Sequence, residues 1–295
     1  MNSSKKLGET RKLGAESSGR TELEASIQDE ASLAPRKYWD SLWQSGSLPC
    51  AVNPRDRSLL RHIDLRFDGL FRDVFLPQER SDRMLQIVEV GCARSAWLPY
   101  FAKEFGLRVT GIDYSAIGCD QARSVLAKEG IDGEIISADI MHPPDRLLRQ
   151  FDYLVSFGVA EHFEATDQCL RACASFLRAG GKMVTIIPNM KGLVGSLQKL
   201  LDREVYDVHV PLDSALLRLA HETAGLKISR CEYFCFLNAG VLNLNRIRQT
   251  FFGLLFSQVL NAISVATWMI ERTGIRLPAN RITSPYIVCV STKAL

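Results

Sequence analysis

From Leu85 onward the sequence alternates short apolar runs with longer stretches whose apolar residues recur every three or four positions, and no other feature restricts the fold as tightly. The runs fall at residues 86–90, 108–112, 134–137, 153–157 and 182–187. Candidate helices lie at 97–105, 116–128, 145–150, 165–178 and 213–224. A short apolar run suits a strand buried on both faces, and an amphipathic helix after it supplies the cover. Five such units in succession predict an α/β chain with a doubly wound, mostly parallel sheet. Two later runs, 227–236 and 282–291, lack that rhythm. They predict an antiparallel strand pair at one edge, completing a seven-stranded sheet.

The other segments are placed around this frame. Residues 1–35 carry Lys, Glu, Ser and Gly with little apolar periodicity. Such a composition cannot offset its ordering entropy, so a disordered tail is expected. Residues 36–295 then form one domain. Tyr38, Trp39, Leu42 and Trp43 fall at helical spacing and open an N-terminal helical lid over about 37–75. An apolar helical insertion occupies about 241–272, before the last strand. Within it residues 251–270 carry no formal charge, a run long enough for a membrane span. A single crossing would strand the final strand on the far side of the bilayer, so no span is expected. A buried helical insertion is the expectation, with a homodimer contact, a monotopic membrane surface or the wall of a lipophilic-substrate pocket as alternatives.

A chain of 295 residues, 46% of them hydrophobic, can bury a large core. The net charge of +3 arises from interspersed charges without a basic stripe, so nucleic acid is not an expected partner. With no apolar leader and with acidic residues in the tail, a cytoplasmic location is expected. The eight cysteines lie within apolar segments and read as reduced, buried thiols. Without a Cys-x-x-Cys or a run of His beside them, no metal site is expected.

In open α/β sheets ligands bind beyond the carboxyl ends of the strands. Here the first strand turns into its helix through Gly91-Cys92-Ala93-Arg94-Ser95-Ala96. Gly91 tolerates backbone conformations closed to other residues, and Ala93 and Ser95 are small enough for a ligand to approach the main chain. The six residues also fit a degenerate dinucleotide fingerprint, with Asp113 falling 22 residues after Gly91 where a ribose-binding acid is expected. An NAD-dependent oxidoreductase is therefore one alternative, and a non-catalytic binding protein of the same fold is another. Glu89 argues against NAD. Its carboxylate, two residues before Gly91, repels a pyrophosphate and suits a ligand bearing an ammonium and a sulfonium. Asp113 and Asp139 then place acids at the ends of the next two strands.

On these residues the chain resembles the class I S-adenosylmethionine-dependent methyltransferases of small molecules, from about Leu85 to Pro188. Residues 89–95 are similar to the family's acidic-x-Gly-x-Gly-x-Gly motif, with Ala93 and Ser95 at its second and third glycines. Residues 109–115 are similar to the second motif and 137–140 to the third. The turn at Ala179-Gly180-Gly181-Lys182 resembles the one that introduces the fifth strand. The resemblance implies the class I methyltransferase fold and S-adenosyl-L-methionine as cofactor. It places Glu89, Gly91 and Ala93 in the cofactor loop, Asp113 and Tyr114 at the ribose, and Gly158 at the end of the fourth strand. Asp139 would accept from the adenine amino group while Ile140 covers the ring.

Methyl transfer from a sulfonium is an in-line displacement, so alignment matters more than any obligatory side chain. His162, beside Glu161 at the end of the fourth strand, is either a general base or a group that orients the loop. His209, after the fifth strand, is a second candidate base. Asn189 could bond an acceptor or brace a turn. Tyr38, Trp39 and Trp43 could contact the sulfonium or an apolar acceptor. The expected acceptor is a small lipophilic or aromatic molecule, with oxygen, nitrogen, sulfur and carbon all open as the methylated atom.

Overall fold

The computed structural model describes residues 31–44, 47–75 and 83–294. Among the described residues the helices α1 (Arg36–Trp43) and α2 (His62–Phe75) precede the sheet. Then follow β1 (Gln86–Val90), α3 (Leu98–Phe105), β2 (Arg108–Asp113), α4 (Ala116–Lys128), β3 (Gly133–Ser137), β4 (Phe151–Phe157), α5 (Thr166–Phe176) and β5 (Leu177–Pro188). The chain continues through α6 (Leu193–Leu201), α7 (Arg203–Asp207), α8 (Ser214–Thr223), β6 (Leu226–Phe234), α9 (Phe251–Arg272) and β7 (Tyr286–Lys293). The strands lie in the order β3-β2-β1-β4-β5-β7-β6. β1 to β5 are parallel, and β7 runs antiparallel to both β5 and β6. The doubly wound seven-stranded sheet with its antiparallel edge pair is borne out.

Period-two alternation along the strands sorts side chains between two cores. Ile87, Val155, Val184 and Val288 face one layer, where Phe67, Phe71 and Phe75 of α2 and Phe101 of α3 cover them. Val88, Leu154, Met183 and Ile287 face the other, under Leu170 and Cys173 of α5 and Leu217 of α8. Each such side chain contributes about 1.5–3 kcal/mol on burial, which is what holds the strands in register. Helix ends follow local chemistry. Ser115 caps α4 by accepting from Gly118 N, and Asp213 caps α8 by accepting from Leu216 N. Gly106, at φ 63°, stops α3 in the left-handed conformation that glycine tolerates.

Several expectations are corrected. The helix anticipated at 145–150 is a single 3-10 turn, Asp145–Leu147. Beyond it Arg149 takes a φ of 57°, and the amides of Arg149 and Gln150 donate to Ser175 O and Phe176 O at the end of α5, so tertiary bonds replace the helical ones. The helix expected at 165–178 ends at Phe176, before the glycine turn at 179–181. β5 has already begun at Leu177, and the turn is a bulge in its pairing, between Phe151↔Leu177 and Tyr153↔Lys182. The tail expectation falls on 1–30, outside the described residues. Its last part, 31–35, is tied down, with Leu33 N donating to His162 O at 2.8 Å. The lid is shorter than 37–75, because α2 belongs to the core and only the segment around α1 covers the ligand end of the sheet.

The largest departure is α9. The insertion forms a helix as expected, but it is not buried. Phe251 and Phe252 are 76% and 81% exposed, and Leu254, Leu255, Val259, Ile263 and Met269 also reach solvent.

Candidate active site

Beyond the carboxyl ends of β1, β2 and β4 lies a cavity of about 380 Å³, within the range of small-molecule sites. Gly91 opens its floor at φ 75°. A Cβ there would collide with Val159 Cγ2, so both backbone and space require glycine. Ser95 organises the turn. Its hydroxyl donates to Glu89 Oε2 at 2.6 Å and accepts from Trp97 N and Leu98 N, fixing the start of α3.

Two buried acids line this cavity. Burial pushes the Glu89 carboxyl up to about 8, with the neighbouring Asp113 charge adding to the shift and the Ser95 bond opposing it. Asp113 is pushed up to about 6 by burial, against hydrogen bonds from the amides of Ser115, Ala93 and Tyr114. Its two oxygens accept from Ser115 N at 2.8 Å and Ala93 N at 3.0 Å, and a carboxylate with about four acceptor positions keeps room for a ligand hydroxyl. A cavity walled by two buried carboxyls suits a positively charged ligand and disfavours a pyrophosphate. Ala93, Tyr114, Ile140 and Gly158 also line it, as anticipated.

Asp139 does not. Its carboxylate accepts from Met141 N at 2.6 Å and pairs with His142 Nδ1 at 3.0 Å, closing its own turn, so only Ile140 of that motif faces the cavity.

The roof comes from the N-terminal segment. Trp39 and Trp43 stack at 5.9 Å, and Trp39 meets the His162 ring edge to face at 5.0 Å. α1 is held on α4 by Ser115 Oγ donating to Asp40 Oδ1 and Gln121 Nε2 donating to Trp43 O. Tyr114 Oη donates to Ala34 O. Motif reading missed Trp97 and Phe157, which stack at 5.5 Å beside the cavity. Their apolar periodicity marks them only as core.

A second cavity of about 360 Å³ adjoins the first and shares Trp39, Phe157, Gly158 and His162 with it. Its walls are largely apolar, with Ile186, Met190, Val194 and Val241 among them. Gln198 and Asn243 form one polar contact in them, and Glu161, His162 and His209 form a second cluster. The two imidazoles lie 4.6 Å apart, and the ligand atoms of all three residues fall within 4.8 Å of one another. His162 Nδ1 bonds Val208 O at 2.6 Å and His209 Nδ1 bonds Val205 O at 2.7 Å. A carbonyl only accepts, so both Nδ1 atoms carry the proton and both Nε2 atoms keep a lone pair. Burial, reinforced by His209, lowers His162 to about 3, and burial lowers His209 as well. Burial raises Glu161 to about 8, and neither of its oxygens has a hydrogen-bond partner.

The three residues named from sequence as catalytic candidates are thus brought together. No metal was expected, yet a carboxylate with two imidazole lone pairs is a donor set able to hold a divalent cation. Asn189 is placed elsewhere. Its Nδ2 donates to Arg281 O and Ser284 O, bracing the loop before β7.

A methyltransferase domain family model matches residues 87–181. The ubiquinone biosynthesis O-methyltransferase of Klebsiella pneumoniae is 24% identical over 140 residues, covering 44% of this chain and 57% of that protein. The match therefore spans little more than half the length of that relative. Among solved structures, phosphoethanolamine N-methyltransferase 2 of Haemonchus contortus bound to S-adenosyl-L-methionine superposes with a TM-score of 0.52 at 19% identity, over 79% of this chain and 53% of that one. The geranyl diphosphate C-methyltransferase of Streptomyces coelicolor superposes with a TM-score of 0.51 at 14% identity, over 77% and 76%. These two likenesses concern the fold.

Proposed function

We propose that the chain is a class I S-adenosylmethionine-dependent methyltransferase, on its fold and on the methyltransferase domain match over residues 87–181, and that it methylates a small apolar acceptor bound in the second cavity. One observation carries the reading. The acid-lined cavity and the apolar cavity meet at a single partition, where His162 and Trp39 face both. A donor on one side and an acceptor on the other would meet across it, as a displacement needs.

S-adenosyl-L-methionine in the first cavity supplies an electrophilic methyl on a sulfonium. Glu89 would face the ammonium of its amino-acid portion, Asp113 would hold the ribose hydroxyls, and Ile140 would cover the adenine. Trp39 excludes water from the partition and presents an aromatic ring to the positive charge. In the second cavity the acceptor buries its apolar body against Ile186, Met190 and Val194, and its nucleophilic atom meets the Glu161, His162 and His209 cluster. A neutral His162 with its lone pair on Nε2 is placed to receive the acceptor proton, and Glu161, once ionised above about pH 8, would supply the negative charge that offsets the burial holding the imidazolium down.

Calorimetry with S-adenosylhomocysteine and with NAD tests the donor site, and binding of NAD alone would overturn the reading. Methyl transfer from labelled S-adenosylmethionine to a panel of apolar phenols, amines and thiols tests the acceptor site. His162→Ala should lower turnover by about 10²–10⁴ while cofactor affinity stays within threefold. Unchanged turnover removes His162 as the base.

A further inference from the structure

α9 is built inside out. Its small polar residues Ser257 and Ser264 are 2% and 1% exposed, and Ser264 Oγ accepts from Ala239 N at 2.9 Å. Trp268 lies on the same side, its Nε1 donating to Leu237 O, as does Glu271, which bonds His62 and Arg66. At 100° per residue the opposite side carries Phe251, Phe252, Leu255, Val259, Ile263 and Met269, all exposed. A helix on the surface of a water-soluble domain shows the reverse pattern. An unbroken apolar strip over about five turns marks a surface that something else covers.

Charge selects the occupant. Arg248 precedes the helix, Arg272 ends it and Arg276 follows, all exposed. Glu271 is the one acid between residues 241 and 285, and it is taken up by His62 and Arg66. Two copies joined through this strip, parallel or antiparallel, would bring arginine-bearing ends against arginine-bearing ends. Anionic headgroups complement both ends at once. The helix also does not cross a bilayer. It is bonded to the domain through Ser264, Trp268 and Glu271 in its second half, and the chain returns from it into β7, between β5 and β6.

We propose that α9 lies in the plane of an anionic lipid surface, with its aromatic and aliphatic strip sunk among the acyl chains and its flanking arginines at the phosphates. The chain is then a monotopic, membrane-surface protein. The helix also backs the acceptor cavity. Leu260 packs against the cluster of Val194, Leu242 and Leu244, and Val194 and Val241 line the cavity wall. Lipid-dissolved acceptors therefore have a short route inward, a consequence that rests on the methyltransferase reading whereas lipid binding does not.

Flotation of the full chain with vesicles decides the matter. At 0.1 M salt the protein should float with phosphatidylcholine containing 30% phosphatidylglycerol and bind pure phosphatidylcholine at least tenfold more weakly. Phe252→Glu combined with Val259→Glu should lower the anionic-vesicle affinity at least tenfold, and Arg248→Glu with Arg276→Glu should remove its salt dependence. Affinity for S-adenosylhomocysteine, measured without vesicles, should be unchanged in both variants, which shows that they fold and tests the donor site separately. No flotation of the wild type, or equal flotation of the Phe252/Val259 variant, overturns the proposal. So does a wild-type dimer in sedimentation that the same variant makes monomeric without any vesicle binding, because the occupant is then a second copy.

Discussion

Replacing Glu89 by Gln should stabilise the protein without ligand and weaken the cofactor, and both effects can be sized. An acid whose folded pKa of about 8 lies above its unfolded value destabilises the fold once the unfolded chain ionises more readily. Below about pH 4 both states are protonated and nothing is lost. The penalty grows as pH rises from there to about 8. With one unit worth 1.36 kcal/mol, it is about 1 kcal/mol at pH 5 and about 4 kcal/mol at pH 8. Glutamine keeps the shape and can still accept from Ser95 Oγ, but it has no charge to bury. Urea unfolding should therefore find Glu89→Gln more stable than wild type by about 3 kcal/mol more at pH 8 than at pH 5. In the complex the ligand ammonium holds Glu89 ionised, so binding of S-adenosylhomocysteine at pH 7 should release ~0.9 proton, read from calorimetry in buffers of different ionisation enthalpy. The variant should release none and bind at least ~10-fold more weakly, as loss of a charge-assisted hydrogen bond implies. Equal stability at pH 8, or heats independent of buffer in the wild type, would refute the argument.

Gly91→Ala forces a side chain into the left-handed region and against Val159. It should cost about 1–2 kcal/mol of stability and lower cofactor affinity at least tenfold, and a denaturation midpoint matching the wild type would count against it. Asp113→Ala should weaken S-adenosylhomocysteine markedly, and unchanged affinity would mean that the ribose lies elsewhere. Turnover should rise with pH through about 8 as Glu161 loses the proton that burial retains below that value. Glu161→Gln should flatten this limb, and a limb that survives the substitution belongs to another group. Trp39→Ala should open the partition and speed cofactor release in stopped-flow fluorescence while leaving the melting temperature nearly unchanged.

The sheet and the donor loop were legible because their signals are local. A strand buried on both faces must be apolar over its whole length, so 86–90 and 108–113 announce themselves, and Gly91 and Asp113 follow at fixed distances along the chain. Asp139 shows where this fails. A carboxylate one residue into a turn reaches the ligand or the following amides with equal ease, and here Met141 N and His142 take it. The cluster of Glu161, His162 and His209 was readable only as separate candidates. His209 joins the other two through the hydrogen bond of Val210 N to Glu161 O, a contact between segments 49 residues apart that no periodicity encodes.

α9 exposes a different limit. Composition gives the amount of apolar surface on a helix but not which side of it the domain occupies. Residues 251–270 read as buried on the premise that a soluble chain hides such a run. The folded chain hides Ser257 and Ser264 instead, because Ala239 N and Leu237 O need partners that Ser264 and Trp268 supply. Packing the apolar strip inward would leave those backbone groups unpaired at about 1–3 kcal/mol each and would turn Glu271 away from His62 and Arg66. The polar contacts thus set the rotation of the helix, and the apolar strip is left facing outward. For a chain confined to water that orientation is a cost with no return. At a lipid surface it becomes the binding energy, which is why the same face should decide both where the protein resides and which acceptors reach it.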